Sequence, residues 1–191
     1  MRKAHEAVKN KLAVAIKTVF VIIGLIIVTN CVKMATDHRT RVFEETPDRV
    51  ATKARDVEKQ LSCLTRNIYW EAASEPFEGK VAVAQVTLNR MESGKFPDSV
   101  CGVVFQKTTA YQKVVCQFSW FCETNYQTKA VHRQMYQESE EVAKMVLLEG
   151  FRLTSIKEAI YYHADYVNPR WNKEKITQIG HHIFYKDKPN V

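Results

Sequence analysis

Glu71 is the residue whose type and setting best suit acid–base chemistry. Val57, Leu61, Leu64 and Ile68 recur at intervals of four and three, the rhythm of an apolar helix face. One further step of three reaches Glu71, shortly before Pro76 ends the helix. Burial disfavours the charged form of a carboxyl group, and an acid kept protonated near neutrality can donate to a leaving oxygen. The plainer account is a helix-end carboxylate that caps or pairs locally. Tyr69 and Trp70 precede it, although consecutive helical side chains point in different directions. Glu75 and Glu78 read either as solvated loop charges or as hydrogen-bonding groups at the rim of a cleft.

A second group surrounds two cysteines. Gln117-Phe118-Ser119-Trp120-Phe121, between Cys116 and Cys122, offers aromatic faces suited to sugar rings or to ordinary packing. Gln117 and Ser119 supply polar groups for hydroxyls or an N-acetyl group. Tyr161, Tyr162 and His163 form a third group that can line a cleft. With His181 and His182 they also raise metal or Cys/His catalysis, but strand alternation separates neighbouring side chains. Ser119 lacks the flanking glycines of a nucleophile elbow. Cys63, Cys101, Cys116 and Cys122 allow two disulfides in three pairings. Closure around the aromatic segment favours Cys116–Cys122 and leaves Cys63–Cys101. Zinc is the competing use, but the close two-residue knuckles of structural sites are missing.

These residues must be positioned by a mainly helical domain of α+β class. Helices are expected over 51–73, 79–92, 98–105 and 129–148, the last stopped by Gly150. Residues 106–128 read as a surface loop with short helical turns, and 154–158 as a short turn. The period then changes, and 159–164, 175–180 and 181–186 read as strands around Gly180.

The net charge of +7 is concentrated at the start. Arg2, Lys3, Lys9, Lys11 and Lys17 against Glu6 give the first 17 residues a net +4. This cluster flanks the apolar run Val19–Val28, the pattern of a membrane-flanking tail, which argues against nucleic acid as a partner. The expected organisation is a basic cytoplasmic tail over 1–11, a transmembrane signal-anchor over 12–32, a linker over 33–51 and a catalytic domain over 52–191. The bulk of the chain would lie on the periplasmic or extracytoplasmic side of the inner or cytoplasmic membrane. A cleaved signal peptide, releasing the domain, is the alternative; residues 29–31 offer a poor small-x-small site. Asn30 before Cys31 argues against lipidation.

The phrases Asn67-Ile68-Tyr69-Trp70-Glu71-Ala72-Ala73-Ser74-Glu75-Pro76, Glu78 to Val86 and Leu88-Asn89-Arg90 closely resemble the SleB-type cell wall hydrolase family. The likeness continues through Phe96-Pro97, Val100 to Gln106, Cys116 to Trp120, Tyr161 to Ala164, Trp171 and Ile179 to Tyr185. It implies a lysozyme-like, lytic-transglycosylase-type core acting on the glycan strands of peptidoglycan, with Glu71 as the catalytic residue and no metal or organic cofactor. The implied bond joins N-acetylmuramic acid to N-acetylglucosamine, and the implied product ends in 1,6-anhydromuramic acid. Hydrolysis of the same bond by a muramidase, an N-acetylmuramoyl-L-alanine amidase and a non-catalytic wall-binding protein are the alternatives. The candidate substrate-binding set is Tyr69, Glu75, Gln117, Phe118, Ser119, Trp120, Tyr161, Tyr162 and His163. Many family members have arginine-glycine where this chain has Ala73-Ser74. Remodelling of a bacterium's own wall and phage lysis both suit such a domain.

Overall fold

In a computed structural model, residues 2–43, 46–110 and 112–189 are described, and the side chains of residues 2–15, 37–43, 47 and 110 lie outside that description. The chain divides into two compact units, residues 1–53 and 54–191.

The first unit is dominated by helix α1 (Arg2–Phe43). Its segment Ile16–Thr36 is 21 residues long with a mean hydropathy of 2.1, enough by length and composition to cross a membrane. Helix α2 (Pro47–Ala72) follows almost at once, so the stretch expected as a loose linker is largely helical. No proline or glycine interrupts residues 33–43, and Pro47 occupies the first position of α2, where its missing N–H costs no hydrogen bond. Asp48 in that first turn complements the helix dipole.

In the second unit α2 buries Cys63, Leu64 and Ile68, whereas Val57 is exposed. Helix α3 (Phe77–Glu92) is the centre of the domain. Val81, Ala82, Val83, Ala84 and Val86 are completely buried, so this helix is enclosed on all sides rather than amphipathic. The short α4 (Val100–Val104) is capped by the Ser99 hydroxyl, which accepts from the Gly102 N–H. Helix α5 (Arg133–Leu147) packs on α3 through Val142, Ala143 and Val146.

The region expected as a loop contains a hairpin, β1 (Lys107–Ala110) with β2 (Lys113–Cys116), then a 3-10 turn over Ser119–Cys122. Four-residue strands are too short to establish a period of two, which is why the hairpin has only a weak sequence signature. The C-terminal sheet has the order β3 (Tyr161–Ala164), β5 (His182–Lys186), β4 (Glu174–Ile179), all antiparallel. Phe184 lies opposite Tyr162 and is fully buried against Ala82, Val86 and Ile156, which joins the sheet to α3. The protein is thus mainly helical with small β-sheets, of α+β class.

Candidate active site

Glu71 stands one residue before the end of α2, at a cavity of about 530 Å³. Trp70 and Glu71 come from α2, Arg90 from α3, and Gln117, Phe118 and Ser119 from the segment after β2. The remaining wall is β3, the β3–β4 connection with Tyr166, Val167 and Trp171, and His182 of β5. Elements distant in sequence therefore converge on one carboxyl group.

The surroundings shift that carboxyl towards its acid form. Burial raises the Glu71 pKa above the ordinary carboxylate value, and this outweighs two opposing influences, the Tyr162 hydrogen bond and the Arg90 charge. Tyr162 Oη donates to Glu71 Oε2 at 3.0 Å. Its own pKa lies well above 10, chiefly through burial and then the nearby Glu71 charge, so it stays a donor across the neutral range. One carboxyl oxygen is thus occupied by a donor. His182 packs edge-on against the Tyr162 ring at 5.0 Å, and burial holds its pKa below the ordinary histidine value.

Arg90 is almost fully buried. Its Nε donates to the Ile160 carbonyl at 2.8 Å, and the guanidinium lies 5.2 Å from the Phe118 ring centre, 5.4 Å from Phe96 and 5.8 Å from Tyr162. Burial lowers its pKa, though an arginine remains charged. His163 contacts the Ala164 carbonyl oxygen at 2.8 Å through Nδ1 and the Tyr185 hydroxyl at 2.9 Å through Nε2. The Ala164 carbonyl can only accept, so Nδ1 is the donor in that pair. Trp171 packs beside Tyr161 and His163, making one flank of the cavity aromatic.

Gln117, Phe118, Ser119, Tyr161, Tyr162 and His163 therefore share the cavity with Glu71. Three other candidates do not line it. Tyr69 turns away from the cavity: its hydroxyl accepts from the His132 N–H at 2.8 Å and its ring packs on Tyr136. Glu75 is a structural brace whose Oε2 accepts from the His181 N–H at 2.9 Å. It fills the space beside Gly180, where an added Cβ would stand 1.9 Å from that oxygen. Gly180 has φ +56°, so both the turn geometry and the close approach call for glycine. Trp120 is a core residue, 4% exposed, and its Nε1 donates to Asn67 Oδ1 at 3.2 Å. An indole needs to bury its ring and satisfy one N–H, and this position does both.

Trp70, Arg90, Tyr166, Val167, Trp171 and His182 also wall the cavity, though none is in the candidate substrate-binding set and His182 reads from sequence only as a metal or Cys/His candidate. Arg90 had only a partial signal, a cation near the end of a largely buried helix that also buries Lys80, Gln85 and Thr87. Tyr166, Val167 and Trp171 had none, because only the return of the β3–β4 connection brings them near α2.

Cys63–Cys101 and Cys116–Cys122 are disulfides, so these four side chains are not zinc ligands. The first ties α2 to α4, and the second closes the segment carrying Gln117, Phe118 and Ser119. Cys31 is free and exposed.

A family model described as Cell Wall Hydrolase matches residues 74–185, more than half of the chain. The chain belongs to the cell wall hydrolase family. The match begins three residues after Glu71 and includes the cavity walls from α3 through β5. This cell wall hydrolase is 33% identical over 132 residues to a spore cortex-lytic enzyme of Bacillus subtilis, covering 65% of this chain and 36% of that protein. It is 31% identical over 137 residues to a spore cortex-lytic enzyme of Oceanobacillus iheyensis, covering 68% and 42%. The chain thus spans less than half the length of these curated relatives. Among solved structures it resembles the catalytic domain of the germination-specific lytic transglycosylase SleB from Bacillus anthracis, at 27% identity and a TM-score of 0.49, over 66% of this chain and 93% of that one.

Proposed function

We propose that this cell wall hydrolase is a peptidoglycan lytic transglycosylase, with Glu71 as its single acid/base and α1 as its membrane anchor. The observation carrying the proposal is that Glu71, held towards its acid form, is the one carboxylate among the described residues lining the cavity. Neither Asp165, paired with His181, nor Glu123, paired with Lys129, lines that cavity. A two-carboxylate hydrolase requires a second acid across the cleft.

In the first step Glu71 gives its proton to the oxygen linking N-acetylmuramic acid to N-acetylglucosamine, and the bond from that oxygen to C1 breaks. Tyr162 continues to donate to Oε2 while negative charge develops, and the fixed charge of Arg90 stabilises it further. In the second step the muramoyl 6-hydroxyl closes on C1 and returns its proton to Glu71. No water is consumed, and the new muramoyl end is a 1,6-anhydro sugar. Aromatic side chains on one flank and the polar Gln117 and Ser119 on another suit the faces and hydroxyls of sugar rings. The rate falls as pH rises through the raised Glu71 pKa, because the first step needs the acid form. The basic residues before the apolar segment support a cytoplasmic N-terminus and a catalytic domain outside the membrane.

The test is mass spectrometry of fragments released from purified peptidoglycan by the full chain in detergent, beside its Glu71→Gln variant. Anhydromuramoyl ends made by the parent alone are expected. Reducing ends would replace transglycosylation with hydrolysis, and free stem peptides would replace it with amidase activity.

A further inference from the structure

A second cavity, of about 410 Å³, lies against Trp70, the ring that also walls the Glu71 cavity. Its lining differs in kind. Arg66 and Lys129 bring two cations, Tyr126, Tyr136 and Val131 bring apolar surface, and no acid lines it. Arg66 and Trp70 are four residues apart on α2 and so share a helix face. The Lys129 ammonium stands 5.7 Å from the centre of the Trp70 ring. Among the described residues no carboxylate pairs with Arg66, whose guanidinium lies 6.0 Å from the Phe105 ring.

We infer that this cavity receives the acidic stem peptide of peptidoglycan while the glycan occupies the Glu71 cavity across Trp70. The inference rests on the reading of the protein as a peptidoglycan enzyme. Its logic is one of charge: stripping the peptide leaves only a lactyl carboxylate close to the sugar ring, whereas the stem peptide carries free carboxylates and alanine methyl groups out from it. The cavity pairs cations with apolar surface to match. The reach is adequate too. From Arg66 to Glu71 the helix rises about 7.5 Å, and two extended peptide residues span roughly 7 Å.

Glu123 supplies an internal stand-in. Its carboxylate already forms an ion pair with Lys129 in which both side chains are about half exposed. Exposed pairs of this kind are weak, so a ligand carboxylate can displace Glu123 from the ammonium. The same enzyme would accordingly favour peptide-bearing strands over strands already stripped by an amidase, placing it before amide cleavage in wall breakdown.

Binding rather than turnover is the decisive measurement, because it does not depend on which bond is cut. The full chain carrying Glu71→Gln is titrated calorimetrically with a soluble tetrasaccharide bearing its stem peptides, and with the same tetrasaccharide after peptide removal. Adding Arg66→Gln and Lys129→Gln is expected to weaken the peptide-bearing ligand about tenfold and the stripped one by no more than about twofold. Glu123→Gln, which keeps the side-chain volume, is expected to tighten the peptide-bearing ligand about threefold by releasing Lys129. Equal weakening of both ligands, or of neither, overturns the inference. The Glu123 variant keeps the test decisive should the double variant melt early, since no tightening there overturns it as well. Absence of glycan products from the parent protein would overturn the proposed reaction instead, leaving the binding contrast to be read on its own.

Discussion

The two cavities share Trp70 but hold their charged side chains under different conditions. In the Glu71 cavity the acid is partly buried with its pKa raised, and the buried Arg90 is enclosed by aromatic rings. In the neighbouring cavity Lys129 is exposed and paired with an exposed glutamate. Burial makes a proton donor of one carboxyl, while exposure leaves another as an easily displaced counter-ion. A glutamate's role is therefore set by the number of elements closed around it. Glu71, on α2, shares its cavity with residues of α3, β3 and β5, whereas Glu123 pairs with one lysine at the surface.

The sharpest way to break this contrast is Glu71→Gln. The amide keeps the size and a polar end but has no acidic proton, so glycan cleavage should fall about 10³-fold. Ligand affinity in calorimetry should change little. A comparable loss from Glu123→Gln would show that enclosure does not distinguish the two glutamates.

Next in size are the disulfides, which hold the two sides of the contrast in place. Cys63–Cys101 closes 38 residues and Cys116–Cys122 only 6. By loop-closure entropy the first stabilises by about 4 kcal/mol and the second by about 2 kcal/mol. Replacing Cys63 and Cys101 together by serine should therefore lower the thermal midpoint more than replacing Cys116 and Cys122. The second pair should have the larger effect on KM, because it fixes the segment bearing Gln117 and Ser119. Denaturation curves and steady-state kinetics read the two effects separately, and a reversed order would locate the domain's main tether elsewhere.

Tyr162→Phe removes one hydrogen bond and tests how the acid is tuned. That bond lowers the Glu71 pKa, opposing burial. Its loss raises the pKa further, so the acid form persists to higher pH and the alkaline fall in rate moves upward. The rate itself should drop about tenfold, since the developing carboxylate loses a donor. A pH–rate profile that moves downward or stays fixed would remove Tyr162 from the tuning of Glu71.

Much of this arrangement was legible in the sequence, for identifiable reasons. The three- and four-residue rhythm ending at Glu71 depends on one helix, and so do the boundaries of α3 and α5. The strands around Gly180 declared themselves by a change of period. The hairpin at 107–116 did not, because four-residue strands carry too little alternation and stand largely in solvent. Tyr166 and Trp171 were invisible as wall residues because their position depends on how the β3–β4 connection returns over the sheet. Trp120 misled in another way: composition places an aromatic side chain near sugar-binding groups, but only packing shows that its N–H is already given to Asn67.

Glu75→Gln is the smallest change and the one that best separates a brace from a binding group. Sequence proximity to Glu71 puts Glu75 in the cleft, yet its carboxylate reaches back to the His181 N–H and fills the space over Gly180. A glutamine oxygen can accept the same bond, so only the charge assistance is lost, at a cost of about 1 kcal/mol. The thermal midpoint should fall slightly while KM for glycan stays within about twofold. A direct substrate contact predicts the opposite, an unchanged midpoint with a raised KM. Gly180→Ala supplies the complementary control, since its Cβ would collide with Glu75 Oε2 and its backbone lies at positive φ. If Glu75 is a brace, that substitution should be partly relieved by shortening the brace with Glu75→Ala, because the two residues compete for one space. Two glutamates four residues apart would then differ in role because α2 ends at Ala72 and the turn that follows carries Glu75 away from the cavity.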